Sequence, residues 1–175
     1  MTVRDILLLG NPQLYEVSQG VNEQEIASLQ PVVTDLHDTL MAFRQKWGAG
    51  RAMSAPQIGV MKRLIYMYID NPVVLINPYL EDQSEEMFEV WDDCMSFPEL
   101  LVRVQRHQSC RIVYRDMAWQ EQSLNLEGDL SELLQHEVDH LDGILAVSKA
   151  SNPTSFALRS QQAFTDYDRS SLNGS

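Results

Sequence analysis

Apolar residues recur at helical spacing along the first third of the chain, at Ile26, Leu29, Val33, Leu36, Leu40 and Phe43. Steps of three and four residues put them on one face, so the pattern predicts an amphipathic helix to about Lys46. Asn22 stands where an N-cap would, with Glu25 at the capping-box position. Pro31 implies a kink or a later start, and Gly48-Ala49-Gly50 ends the helix. Residues 1–20 read as a loop-rich arm with a turn at Asn11-Pro12. Residues 60–69 and 73–76 are strand-like, joined by the turn Asp70-Asn71-Pro72. Residues 81–90 are acidic and read as a solvated strand or loop. Residues 101–105 and 109–114 alternate enough to be strands. Residues 125–128 lead into a second helix, with Asp129 as its cap and Glu132 at N3. Leu130, Leu133, Leu134 and Leu141 form its buried stripe, and Gly143 is its stop. Beyond Ser151 the chain is rich in Ser, Asn and Asp. A short helix over residues 154–164 and a disordered last ten residues are expected there. With no internal repeat, the class is α+β: an early helix, antiparallel strands, then a helix packed on them. Residues 1–150 are expected to form one domain, and residues 151–175 a tail.

The second helix carries His136-Glu137-Val138-Asp139-His140. Residues four apart share a helix face, so both imidazoles can point at one ion. Glu137 can reach a water held by that ion and take its proton. This is the arrangement of metal-assisted hydrolysis. The other two histidines, His37 on the first helix and His107 between two strands, read as isolated and exposed.

Composition narrows the partners. A 175-residue chain, 44% hydrophobic and 22% charged, is long enough for a single cored domain. A net charge of −12 argues against nucleic acid and against an anionic membrane surface. The apolar run at residues 6–9 lacks the basic flank and length of a signal peptide, and no stretch approaches a membrane span. Cys94 and Cys110 do not make a disulfide framework.

Catalytic metal sites usually have three protein ligands and one open position. Candidates for the third are Cys94, at a strand-to-turn junction, Cys110, which reads as buried filler in a strand, and the many carboxylates. A general metalloendopeptidase would draw it from downstream, where no histidine follows and Asp142 is the first carboxylate.

Three blocks together resemble the peptide deformylase family, in order and in approximate spacing. Gly50-Arg51-Ala52-Met53-Ser54-Ala55-Pro56-Gln57 is similar to the family's Gly-x-Gly-x-Ala-Ala-x-Gln. Asp92-Asp93-Cys94-Met95-Ser96 is similar to Glu-Gly-Cys-Leu-Ser. Gln135-His136-Glu137-Val138-Asp139-His140-Leu141-Asp142-Gly143 matches Gln-His-Glu-x-Asp-His-Leu-x-Gly without departure. The resemblance covers roughly residues 5–146. It implies antiparallel sheets around a central helix carrying the two histidines. It also implies one divalent metal per chain on Cys94, His136 and His140: Fe(II) in the cell, with Zn(II), Ni(II) or Co(II) as alternatives. The implied substrate is an N-formylated peptide or nascent chain, cut to formate and a free amine in bacterial cytoplasm. Nothing in the residues speaks to ribosome contact. Glu137 would be the base, and Gln57 and the Met95 backbone N–H the donors to the developing oxyanion.

The departures concern the substrate groove. Ala52 replaces a glycine lying against the substrate in the family, so its methyl narrows the cleft. Ser54 replaces an alanine and needs a partner if buried. Asp93 replaces a glycine, which matters if that position uses positive φ. Asp92 stands for glutamate and is expected to pair with Arg106 or Arg103. Leu101 stands where relatives carry a cleft arginine. No change touches a metal ligand or the base. Two other readings remain: action on another N-acyl substrate, or a metal-binding relative without turnover, against which Glu137 speaks.

Overall fold

Helix α1 (Ile26–Trp47) forms where the apolar stripe lies, and it buries Leu29, Val33, Leu36 and Leu40. A 3-10 turn (Glu23–Glu25) precedes it, and Asn22 and Glu25 make the reciprocal capping box there. The helix runs through Pro31 rather than starting after it. Gly48 closes it in the left-handed conformation. In the computed structural model, which describes residues 2–165, α1 packs on β1 (Ala52–Ser54) and β2 (Leu64–Tyr68). Residues 166–175, which include the segment expected to be disordered, lie outside the described residues.

Two antiparallel sheets follow. The larger has the order β1-β2-β3-β6-β7, with β3 (Pro72–Glu81), β6 (Ser109–Arg115) and β7 (Glu121–Glu127). The smaller has the order β4-β5-β8, with β4 (Met87–Asp93), β5 (Leu100–His107) and β8 (Phe156–Leu158). Strand β2 shows how the layers form. Its alternate residues Leu64 and Tyr66 join the cluster under α1, while Ile65 and Met67 face the other way. That second face meets Leu133, Leu134, Val138 and Leu141 of α2 (Asp129–Leu141). Helix α2 touches strands of the larger sheet and β5 of the smaller one, so it lies between the two. Its histidines are thereby enclosed.

Several local expectations are corrected. Asp129 does not cap α2; Gly128 holds that position, and Asp129 and Glu132 place acid in the first turn. Leu130 is exposed, outside the buried stripe. The segment 154–164 holds β8, paired with β5 through Leu101↔Ala157, and a 3-10 turn (Arg159–Gln161), and the expected helix is confined to its end, from Gln162. His37 is not isolated: its Nδ1 lies 2.7 Å from the Tyr66 hydroxyl. His107 sits within β5, and its Nδ1–H donates to the Ser84 carbonyl at 2.7 Å. Cys110 is buried in the core, as read.

The N-terminal arm straps the site region. Leu7 N–H donates to the Gln57 carbonyl and Leu9 N–H to the Ser96 carbonyl, both at 2.8 Å. Ser18 N–H donates to the carbonyl of Leu141, the last residue of α2, at 2.9 Å. Gly143, at φ +70°, lets the chain pass so close to the arm that an added Cβ would lie 2.4 Å from the Tyr15 carbonyl oxygen. Gly143→Ala is therefore expected to lower stability by about 2–4 kcal/mol, from left-handed strain plus overlap. Urea unfolding measures this; a loss below about 0.5 kcal/mol, typical of a surface change, would contradict the close packing.

Candidate metal centre

Strand β4 ends at Asp93, and the chain turns at once: Phe97 N–H donates to the Cys94 carbonyl at 3.0 Å. The turn leaves the Cys94 thiol buried beside α2. His136 and His140, one helical turn apart, face the same way, with ring centroids 4.8 Å apart. The thiol Sγ is 3.2 Å from His140 Nε2, which is 3.1 Å from His136 Nε2. These three are the described residues whose ligand atoms gather within 4.8 Å of one another.

The donor set fits a divalent ion. Metal bonds of about 2.0–2.3 Å at tetrahedral angles put ligand atoms about 3.3–3.6 Å apart, close to the spacing here. His136 Nδ1 lies 3.0 Å from the Asp92 carboxylate, which can only accept, so Nδ1 carries the proton and Nε2 keeps its lone pair for the ion. Burial opposes charge on His136, but Asp92 and Cys94 outweigh it and hold that imidazole's pKa well above its ordinary value. Burial and the neighbouring His136 hold His140 well below.

Asp92 is the hub beneath the centre. Arg106, itself buried, reaches Asp92 at 2.6 Å and Asp139 at 2.5 Å. Lys149 adds a contact to Asp139 at 2.8 Å. Burial would raise the Asp92 pKa, but His136 and then Arg106 prevail and hold it well below the usual carboxylate range. The expected pairing of Asp92 is thus with Arg106; Arg103 lies near Glu89 instead.

Glu137 is buried in the same place, and burial pushes its carboxyl up to about 7; His136, Ser54 and Arg51 pull the other way and Asp92 adds to the rise. Its Oε2 has no hydrogen-bond partner among the described residues. Gln57 is also buried. Its Oε1 accepts from Ser54 N–H at 3.0 Å and Ser54 Oγ–H at 3.2 Å. That leaves its NH₂ aimed at Cys94 Sγ (3.6 Å) and Ser96 Oγ (3.2 Å). Met95 follows the cysteine in the turn and packs its side chain toward Gly50. A cavity of about 370 Å³ is lined by Ala52, Gln57, Cys94, Met95, His136 and Glu137 among others. Leu101 does not border it; it is buried next to a neighbouring depression shared with Arg51, Asp93, Glu132 and Arg159.

The altered positions have partners. Ser54, fully buried, satisfies its hydroxyl on Gln57. Asp93 lies in extended strand without positive φ, and pairs with Arg159 at 3.0 Å. Four features went unforeseen: the strap from Leu7 and Leu9, Ser96 as a neighbour of Gln57, Asp139 on Arg106, and the pair Arg51–Glu132 at 3.3 Å. For Glu132 the signal existed, since it stands four residues before His136 and so shares its face.

The profile described as polypeptide deformylase matches residues 3–156. The chain belongs to the polypeptide deformylase family. Among curated deformylases, that of Leptospira biflexa is 34% identical over 163 residues, covering 85% of this chain and 88% of that protein. That of a Parafrankia strain is 38% identical over 156 residues, with 88% and 82% covered. The crystal structure of the Legionella pneumophila deformylase superposes with a TM-score of 0.79 at 28% identity, covering 99% of this chain and all of that one. The deformylase of Synechococcus elongatus in complex with actinonin gives 0.79 at 28% identity, covering 87% and 81%.

Asp92 and Arg106 should be strongly coupled. A cycle of Asp92→Asn and Arg106→Met is expected to give a coupling free energy of about 1–3 kcal/mol in urea unfolding; additive losses would contradict the pairing. The pH sign follows from the depressed carboxyl. Its stabilisation is complete above the free value of about 3.9 and is lost as pH falls below it. The acid limb of the stability profile should be shallower in Asp92→Asn than in the parent.

Proposed function

We propose that this deformylase removes the N-formyl group from the N-terminal methionine of new polypeptides, releasing formate. Family membership and the Cys–His cluster make it a metal-dependent hydrolase. One observation carries the reading most: buried Glu137, with an unpartnered oxygen, lies in the cavity that Cys94 and His136 line. Cys94, His136 and His140 would hold one divalent ion, which when bound supplies a Lewis acid and lowers the pKa of a water. A thiolate with two imidazoles suits Fe(II), Zn(II), Ni(II) or Co(II), and we assign Fe(II) in the cell on the family resemblance.

The protein's own groups do the rest. Glu137 takes the proton of the attacking water and returns it to the leaving amine; a carboxyl raised toward neutrality suits both steps. Gln57 is locked through its Oε1, so its Nε2 hydrogens are committed toward the centre, where the carbonyl oxygen gains charge. The Met95 N–H is the second donor. Asp92 fixes the tautomer of His136, and Arg106 fixes Asp92. Ala52 lines the cleft and trims its width; Leu101 acts, if at all, on parts of the peptide that reach the neighbouring depression. Residues 1–150 carry the catalytic groups in this account, and the chain beyond Ser151 adds β8 to the edge of the smaller sheet. No helix among the described residues is long and apolar enough to cross a membrane, and the protein is assigned to the bacterial cytoplasm, where formylated chains arise. A different N-acyl substrate is the second reading, favoured by the Ala52 methyl in the cleft.

Formate release from formyl-Met-Ala-Ser by anaerobic, Fe(II)-loaded protein is expected. A chelator should abolish it and added metal restore it. Glu137→Ala should lose about 10²–10⁴ in kcat, and Gln57→Ala about 10²–10³. Turnover that survives Glu137→Ala would remove the proposed base from the mechanism. Metal-replete protein that releases no formate would overturn the deformylase reading.

A further inference from the structure

The turn after β4 brings Cys94 and Met95 to the cavity. Two hydrogen bonds run along it: Phe97 N–H donates to the Cys94 carbonyl and Leu100 N–H to the Phe97 carbonyl, both at 3.0 Å. Cys94, Met95, Ser96 and Phe97 are buried, while Asp93 on one side and Glu99 on the other emerge at the surface. One residue from beyond the turn holds both of its ends. Arg159 directly follows β8. Its Nη2 donates to the Asp93 carboxylate at 3.0 Å, and its Nε–H donates to the Pro98 carbonyl at 2.7 Å. Its backbone N–H donates to the Glu99 carbonyl at 2.8 Å. Asp93 immediately precedes Cys94, and Pro98 immediately follows Phe97.

A guanidinium is planar and carries its donors in a fixed fork, so two bonds from one head set the spacing of their acceptors. Here the acceptors are the two ends of the turn. The Arg159 backbone is itself anchored, because β8 pairs with the start of β5 through Leu100↔Leu158. Both partners fall outside the family pattern. Asp93 stands where the family block has a glycine, which has no side chain to offer, and Arg159 lies beyond the residues 3–156 that match the family profile. The pair is a weak candidate for global stabilisation: the Arg159 side chain is 29% exposed and that of Asp93 49%, and exposed ion pairs contribute little to folding. Its leverage is local, on the segment that presents the sulfur. We infer that Arg159 is a positioning residue of the metal centre, clasping Asp93 and Pro98 so that the turn between them keeps the Cys94 sulfur beside the two imidazoles. The inference rests on the proposed metal centre, and adds to it a role for the chain beyond Ser151 in retaining the ion.

The rate at which zinc-loaded protein loses its metal to excess chelator tests this. Arg159→Met keeps the length of the side chain and removes its donors, and loss should be about 10-fold faster. The midpoint of urea unfolding of the metal-free variant should stay at the parent's value. Asp93→Asn, which leaves the Pro98 bond in place, should speed loss by a smaller factor. Arg159→Lys separates charge from geometry: one ammonium cannot reproduce the fork, so it should recover only part of the difference. In Co(II)-loaded Arg159→Met the cysteine-to-Co(II) charge-transfer band should shift or weaken. A parental rate of loss in Arg159→Met would overturn the inference. Full recovery in Arg159→Lys, or a lowered urea midpoint with an unaltered Co(II) band, would overturn it too. A parent protein without the cysteine-to-Co(II) band would instead overturn the metal centre on which the inference rests.

Discussion

The buried ion network Asp139–Arg106–Asp92–His136 is what the centre depends on. Arg106 is 1% exposed, and burying a guanidinium is tolerable only when its partners are fixed. Asp92 and Asp139 supply that fixity from opposite sides, one at the end of β4 and one on α2. The network therefore does two things at once. It ties the smaller sheet to the central helix, and it sets the proton on His136 Nδ1 so that Nε2 stays free for an ion. Removing Arg106 would leave buried Asp92 with His136 alone and Asp139 with Lys149, cutting the link that Arg106 makes between β4 and α2.

Around this hub, the polar atoms of the site are held from behind. Ser54 locks Gln57, and the arm's Leu7 and Leu9 hold the carbonyls of Gln57 and Ser96. The Gln57 amide is thus oriented by contacts behind the cavity, which is the condition for stabilising charge under the proposed mechanism. The departures from the family blocks fit this frame. Ser54 adds a hydrogen bond, Asp93 gains Arg159, and none disturbs the ligand cluster.

The parts of this design that were legible in the chain are those encoded by local spacing. The stripe of α1 and the His136–His140 interval follow from 3.6-residue periodicity, and both formed. Asp92's pairing with Arg106 was narrowed to two candidates by charge alone. Strand β7 left no such trace, because only Leu126 along it is buried and no alternation results. The three-residue β8 is too short to carry a pattern. Leu130 was assigned to the buried stripe because the pattern gives spacing but not the width of the covered face. His37 and His107 are engaged by Tyr66 and Ser84, partners brought in by tertiary contact. From residues alone the third ligand stayed open between two cysteines and the carboxylates. Motif resemblance favoured Cys94, and the turn after β4 is what carries its thiol to the helix.

X-ray absorption on protein reconstituted with one equivalent of Co(II) tests the central claim most directly, namely that Cys94, His136 and His140 form one metal centre. The account predicts one metal per chain, with one sulfur at about 2.3 Å and two imidazole nitrogens at about 2.0–2.1 Å, the sulfur lost in Cys94→Ser. A first shell of oxygen and nitrogen only, unchanged by Cys94→Ser, would contradict it.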